Sequence, residues 1–185
     1  MNRLDKIIQQ AMAQINNPPP PKQLPSDDAV AERIEQMQRE CGFMPTPEAV
    51  EPIRHYMAGY GLLLHGPTGS GKTFLMKALH HRITSVREII DYGPEVDVWF
   101  ESWDGFTCCI DDLGTEPVAT NYGWREDLMR YVIAHRIDKQ SGTTHITTNL
   151  DAAAIAERYG DRTLSRIMGS MKAFELSKRH WRGAA

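Results

Sequence analysis

Eight consecutive residues, Gly66-Pro67-Thr68-Gly69-Ser70-Gly71-Lys72-Thr73, have the types and spacing to hold a triphosphate tail, following the pattern G-x-x-x-x-G-K-[ST]. The glycines let the backbone turn tightly, so that successive N–H groups point inward at an anion. A helix expected to begin at the end of the loop would add its partial positive end to the same place. Lys72 would reach the β- and γ-phosphates, and the Thr73 hydroxyl would ligate magnesium. Gly66 to Thr73 are therefore read as a phosphate cradle for a nucleoside triphosphate with Mg2+.

Two further strand ends carry polar groups suited to the same chemistry. Cys108-Cys109-Ile110-Asp111-Asp112 reads as an apolar strand that terminates in two carboxylates. In a parallel sheet, ligands collect at the carboxyl ends of strands, which would bring these acids beside the cradle. Asp111 fits the carboxylate that holds magnesium through water, and Asp112 the group that orients or deprotonates an attacking water. The plain alternative is a pair of acids capping a loop. Thr144 to Leu150 is a third such strand, and Asn149 at its end is placed to hydrogen-bond the attacking water. Its rival role is turn formation ahead of a helix capped by Asp151.

The elements that must position these groups follow from the apolar pattern. Leu62-Leu63-Leu64 is an uninterrupted run, as expected of a strand covered on both faces, and it leads straight into the cradle. Thr73 to His81 reads as the next helix. A very short strand at 82–84 precedes Ser85-Val86-Arg87-Glu88, which has capping-box spacing. Residues 94–104 leave strand and helix open, with Trp99, Phe100 and Trp103 as core or interface aromatics. Phe106 to Ile110 is expected as a strand, Trp124 to Lys139 as a helix and Thr144 to Thr148 as a strand. A helix should run from Asp151 to Gly160, then a shorter one through Ile167, and Ala173 to Leu176 should close the sheet as a last strand. Alternating helices and strands predict an α/β fold with a mostly parallel sheet.

Upstream, residues 1–16 have helical apolar spacing, and Pro18 to Pro21 force an extended spacer. Ser26 to Cys41 has Val30, Ile34, Met37 and Cys41 along one side, and Pro47 opens a helix ending near Gly59. The chain divides into an N-terminal arm and linker (1–46), a core (47–177) and a basic tail (178–185). With 185 residues, 41% hydrophobic, one domain with a core and an appendage is expected. A net charge of −3 and a pI near 6.2 exclude a global basic field for nucleic acid. No apolar run of transmembrane length and no signal-peptide pattern occur. Cys41, Cys108 and Cys109 make no disulfide framework, and the reducing cytoplasm is the expected compartment. The adjacent His80-His81 face different ways on a helix and are read as structural.

The strings GLLLHGPTGSGKT, CCIDDLG, ITTNL and DRTLSRI, in this order over residues 47–177, resemble the AAA+ ATPases. The subgroup they resemble is that of bacterial helicase loaders (DnaC-like) and transposition helpers (IstB-like). The resemblance implies a P-loop three-layer sandwich with a five-stranded, mostly parallel sheet, its lid absent or minimal, and ATP with Mg2+ as cofactors. It implies Walker A roles for Lys72 and Thr73, the Walker B magnesium acid at Asp111, a catalytic acid at Asp112 and sensor 1 at Asn149. Arg166 matches the arginine finger that acts in trans on a neighbouring subunit, with Arg162 a candidate second arginine; the plain alternative for Arg166 is an exposed helix arginine in a weak salt bridge. A homo-oligomer follows, with a replicative helicase or transposase contacted through the arm. The departures are a short interval between Lys72 and Asp111 and little chain after residue 177. The tail Lys178-Arg179-His180-Trp181-Arg182 reads first as solvated terminus. Its alternatives are a stand-in for part of the lid, with Arg182 as sensor 2, or a single-stranded DNA contact by charge and stacking.

The resemblance implies a slow ATPase, stimulated by assembly or DNA. Two rivals remain at this stage: an ATP-holding binding switch without turnover, and a small-molecule nucleotide kinase.

Overall fold

The computed structural model describes residues 22–79, 82–116, 124–140 and 142–177, and for 124–127 it describes the backbone. The expected first helix, the proline spacer, His80-His81 and the basic tail with Trp181 and Arg182 lie outside the described residues.

Helix α1 spans Asp27–Cys41 and α2 Pro47–Met57, followed by β1 (Gly61–His65) and α3 (Lys72–Leu79). Next come β2 (Ile83–Ser85), α4 (Val86–Tyr92), a 3-10 turn (Gly93–Glu95) and α5 (Val96–Trp103). The chain continues through β3 (Cys108–Leu113), α6 (Trp124–Asp138), β4 (Thr144–Thr148), α7 (Ala152–Tyr159), α8 (Asp161–Ser170) and β5 (Met171–Glu175). The strands form one five-stranded sheet in the order β2-β3-β4-β1-β5, and every pairing is parallel.

Local chemistry explains most of the boundaries. The Ser26 hydroxyl accepts from the Ala29 N–H to start α1, and Gly42, at φ 67, ends it. The Ser85–Glu88 capping box closes in both directions at the start of α4. The Asp151 carboxylate caps α7 through the Ala154 N–H at 2.8 Å.

The sheet divides the core in two because successive strand residues face opposite ways. Leu62, Leu64 and Cys109 pack with Val30, Met37, Phe43, Ile53 and Leu75 under α1, α2 and α3. Leu63, Cys108 and Ile110 pack with Trp99, Val132, Ile155 and Ile167 under the remaining helices. Helix, sheet and helix layers therefore stack as expected. Val30 and Met37, which the sequence reading grouped with the arm, are fully part of the first cluster.

Four sequence expectations need correction. Cys41 was placed on the apolar side of its helix, but it is exposed and its thiol donates to the Met37 carbonyl at 3.1 Å. Phe106 was expected to begin a buried strand; it is 52% exposed and precedes β3, its ring lying under the Arg82 guanidinium at 4.0 Å. At its other end β3 does not stop at the aspartates but runs through them to Leu113, with a register shift between Ile110 and Leu113. The helix expected to be short, through Ile167, extends to Ser170 and outlasts α7; it ends only where Met171 pairs with Gly61. Residues 94–104, left open by sequence, resolve into the 3-10 turn and α5, with Trp99 and Phe100 in the core. No helix among the described residues is long and apolar enough to cross a membrane.

Candidate functional site

The cradle sits between β1 and α3, and its first glycine cannot be replaced. Gly66 has φ 140, and a Cβ there would lie 2.2 Å from the Leu176 carbonyl oxygen. Gly69 and Gly71 also have positive φ, 83° and 90°, which turns the loop so that α3 starts at Lys72. Lys72 is only 5% exposed. Its ammonium donates to the carbonyls of Gly66 (2.8 Å) and Pro67 (2.9 Å), to the Ser70 hydroxyl (3.3 Å) and to Asn149 Oδ1 (2.9 Å). Burial lowers the affinity of this amine for its proton, while Asp112 and Asp111 raise it.

The end of β3 faces the same loop. Asp111 Oδ1 accepts from the Thr73 hydroxyl at 2.9 Å and from the Thr147 hydroxyl at 2.5 Å. Bonds of this charge-assisted kind contribute on the order of 1.5–3 kcal/mol each. Asp112 is half-buried and stands at φ 61, a left-handed conformation uncommon for a residue with a Cβ, although Asp and Asn adopt it more readily than most. Its N–H donates to Thr147 Oγ1 at 2.9 Å, and its carbonyl accepts from the Thr115 N–H (3.1 Å) and hydroxyl (2.8 Å). Burial and the neighbouring Asp111 push the Asp112 carboxyl above the usual carboxylate range, against the pull of Lys72.

Lys72, Thr73, Asp111, Asp112 and Asn149 are thus gathered at one rim, where the parallel strands end. The Thr73 hydroxyl and Asp111 carboxylate fit magnesium, a hard ion that takes few protein oxygens and completes its shell with water and phosphate. No cluster of three or more His, Cys, Asp or Glu suited to holding a metal by themselves occurs among the described residues.

Arg166 is elsewhere. Its guanidinium grips Asp138 through three bonds, Nε to Oδ1 at 3.0 Å and to Oδ2 at 3.2 Å, and a terminal nitrogen to Oδ2 at 2.8 Å. Asp138 ends α6, which leads to the start of β4, so this pair lies toward the rim where strands begin. Hydrogen bonding from Arg166 holds the Asp138 carboxyl below its ordinary range, with the Arg162 charge adding to the effect. The arginines are therefore near one another and away from the cradle of their own chain. On that rim a cleft of about 770 Å3 is lined by residues that include Lys22, Tyr60, Thr144, Met168 and Lys172, and by none of the cradle.

Sequence reasoning assigned no role to Thr147, which bridges Asp111 and the Asp112 backbone. Three of the five residues of β4 are threonines, and all five are buried, so the hydroxyls need partners; which partner each finds is set by the neighbouring strand and is not written in the sequence. Glu116 and Tyr159 were missed as well. Tyr159 donates to the Glu116 carboxylate, and burial followed by that contact raises the phenol above its ordinary range.

No protein-family model matches the chain, and no curated protein matches it. Among solved structures, the crystal structure of the DnaC helicase loader is similar with a TM-score of 0.58 at 20% identity, over 74% of this chain and 94% of that one. The structure of AMPPCP-bound DnaA from Aquifex aeolicus is similar with a TM-score of 0.54 at 13% identity, over 72% of this chain and 48% of that one. The fold of this chain is that of the AAA+ P-loop NTPases, as the sequence predicted.

Proposed function

We propose that this chain is an AAA+ ATPase that binds Mg·ATP at Gly66 to Thr73 and hydrolyses it slowly when copies assemble. It would serve DNA replication or transposition as a helicase loader or transposition helper. One observation carries the reading: Thr73 meets Asp111 at 2.9 Å while the adjacent Lys72 meets Asn149 at 2.9 Å, so three strand ends converge on one loop. The likeness to the AMPPCP-bound DnaA structure supports a triphosphate as the ligand.

The cradle N–H groups and Lys72 bind and orient the triphosphate tail. Thr73 and Asp111 would hold magnesium, which when bound neutralises charge on the β- and γ-oxygens. Asp112 accepts a proton from the attacking water, a task helped by a carboxyl of raised proton affinity. Asn149, already at the ammonium, fixes that water beside the γ-phosphate. Arg166, with Arg162 near it, acts on the cradle of a neighbouring copy, which makes hydrolysis depend on assembly. Likeness to the helicase loader supports a replicative helicase as partner; its contact through the N-terminal arm, a transposase as the alternative partner and single-stranded DNA as a stimulus rest on the sequence resemblance.

The test is ATP affinity and phosphate release for the wild type, Lys72→Ala and Asp112→Asn, with and without single-stranded DNA. Lys72→Ala should weaken ATP binding by at least about 100-fold. Asp112→Asn should keep affinity within about threefold yet lower turnover by about 100-fold or more. Undiminished turnover in Asp112→Asn overturns the hydrolytic role and leaves an ATP-dependent binding switch. Phosphoryl transfer to a small acceptor in place of water would mark a nucleotide kinase.

A further inference from the structure

We infer that Glu116 is a positioning residue for Asp112: together with Tyr159 and Arg158 it clamps the turn after β3 and thereby holds Asp112 in its left-handed conformation. The inference rests on the reading of Asp112 as the group that handles the attacking water.

Asp112 needs holding. At φ 61 it occupies a region that residues with a Cβ rarely adopt, and it does so where β3 loses register with β4. Such a conformation persists only when its surroundings over-determine it. On the N–H side Thr147 supplies one restraint at 2.9 Å. On the carbonyl side Thr115 supplies two, at 3.1 and 2.8 Å, so the position of Thr115 decides the geometry of Asp112. Glu116 fixes that position from both flanks. One carboxylate oxygen accepts the Gly114 N–H at 3.0 Å, closing the turn around Thr115. The other accepts the Tyr159 hydroxyl, and the Glu116 carbonyl accepts from Arg158, whose guanidinium lies 3.5 Å from the carboxylate.

The clamp is anchored on a rigid element. Tyr159, 2% exposed, ends α7 and belongs to the apolar core, and Glu116 is 5% exposed. A carboxylate this deep must be matched by donors, and here they come from the turn itself and from α7. Gly114, at φ 99, completes the arrangement, since a Cβ there would fall 2.6 Å from the Leu150 side chain. None of the hydrogen bonds described for Glu116 or Tyr159 reaches the cradle, so their influence on the chemistry passes through residues 112–115.

Glu116→Gln is the decisive substitution, because Gly114 and Tyr159 donate to different carboxylate oxygens and Gln turns one of those two acceptors into an NH2 donor. In the full chain, the assembled ATPase with saturating Mg·ATP should lose about 10-fold to 100-fold in kcat with KM within about twofold. In the Asp112→Asn background the same substitution should change kcat by less than about twofold, since its route of action is gone. Backbone carbon shifts of Asp112, which report the sign of φ without turnover, should move toward strand values in Glu116→Gln. Tyr159→Phe removes one donor, keeps the Gly114 bond, and should give a smaller loss in the same direction.

Equal losses in both backgrounds, or unmoved Asp112 shifts, overturn the positioning role. Failure of both variants to fold assigns the cluster to global stability and overturns it too. Wild-type turnover in Asp112→Asn alone sinks the catalytic reading of Asp112, and with it the effect of Glu116 on turnover, but not the hold on the Asp112 backbone. That outcome is distinguishable, because the carbon shifts still respond to Glu116→Gln.

Discussion

Where the strands of the sheet end, Lys72, Thr73, Asp111, Thr147 and Asn149 are tied to one another by bonds of 2.5–2.9 Å, with Lys72 and Asp111 largely buried. Toward the rim where strands begin, Arg166 and Asp138 meet as one bidentate pair whose carboxylate side chain is 53% exposed. The first arrangement fixes each group from several sides, so its geometry is set before any ligand arrives. An ion pair open to water is screened and adds little to stability. In the proposed function, that asymmetry lets Arg166 exchange Asp138 for the phosphates of a neighbouring copy at small cost, while the cradle keeps its shape.

The sharpest way to break this comparison is Arg166→Ala. Loss of an arginine acting in trans should lower turnover of the assembled ATPase by about 1,000-fold. ATP affinity of the isolated chain should stay within about threefold, as titration of a labelled nucleotide would show. A variant that binds ATP poorly as a monomer would place Arg166 functionally at its own cradle, against the geometry. Thr147→Val comes next. It removes a donor from Asp111 and strands the Asp112 N–H, and should cost about 1–3 kcal/mol in denaturant unfolding.

Asp112→Asn sharpens the comparison through pH. The folded-state carboxyl binds its proton more tightly than an ordinary carboxylate, so the folded chain holds the extra proton within that window. Stability therefore falls as pH rises from the unfolded value through the folded one, and the penalty persists at neutral pH. Asn carries no charge and tolerates φ 61, so the variant should melt higher than the wild type at pH 7, with the gain vanishing below the ordinary carboxylate range. Thermal melts across pH check the sign. The smallest effect belongs to Asp138→Asn, which should leave the denaturant midpoint of unfolding unchanged, since solvent screens this pair. A lowered midpoint would show the second rim to be as firmly built as the first.

What could be read from sequence was what is written within a few consecutive residues. The cradle is legible because its glycines, lysine and threonine act on one turn. The Ser85–Glu88 capping box and the Asp151 cap are legible for the same reason. The bridge from Thr147 to Asp111 was not, because it depends on strand order: β4 lies beside β3, and no local pattern says so. Asp112 was expected past the end of its strand, whereas β3 accommodates it by shifting register, a backbone event that side-chain periodicity does not record. Glu116 drew no notice since its partners on α7 arrive more than forty residues later. Arg166 was read from its motif, but the Asp138 it grips lies 28 residues earlier on another helix.

Gly66 turns against the Leu176 carbonyl, the Leu176 N–H donates to His65 at 2.8 Å, and Ser177 is tied to Glu48 at 2.5 and 2.9 Å. The last described residues thus act as a backstop for the first residue of the cradle. A pull applied beyond Ser177 would be felt at Gly66 without passing through the sheet, and a chain cut after Glu175 would leave that glycine with nothing to lean on.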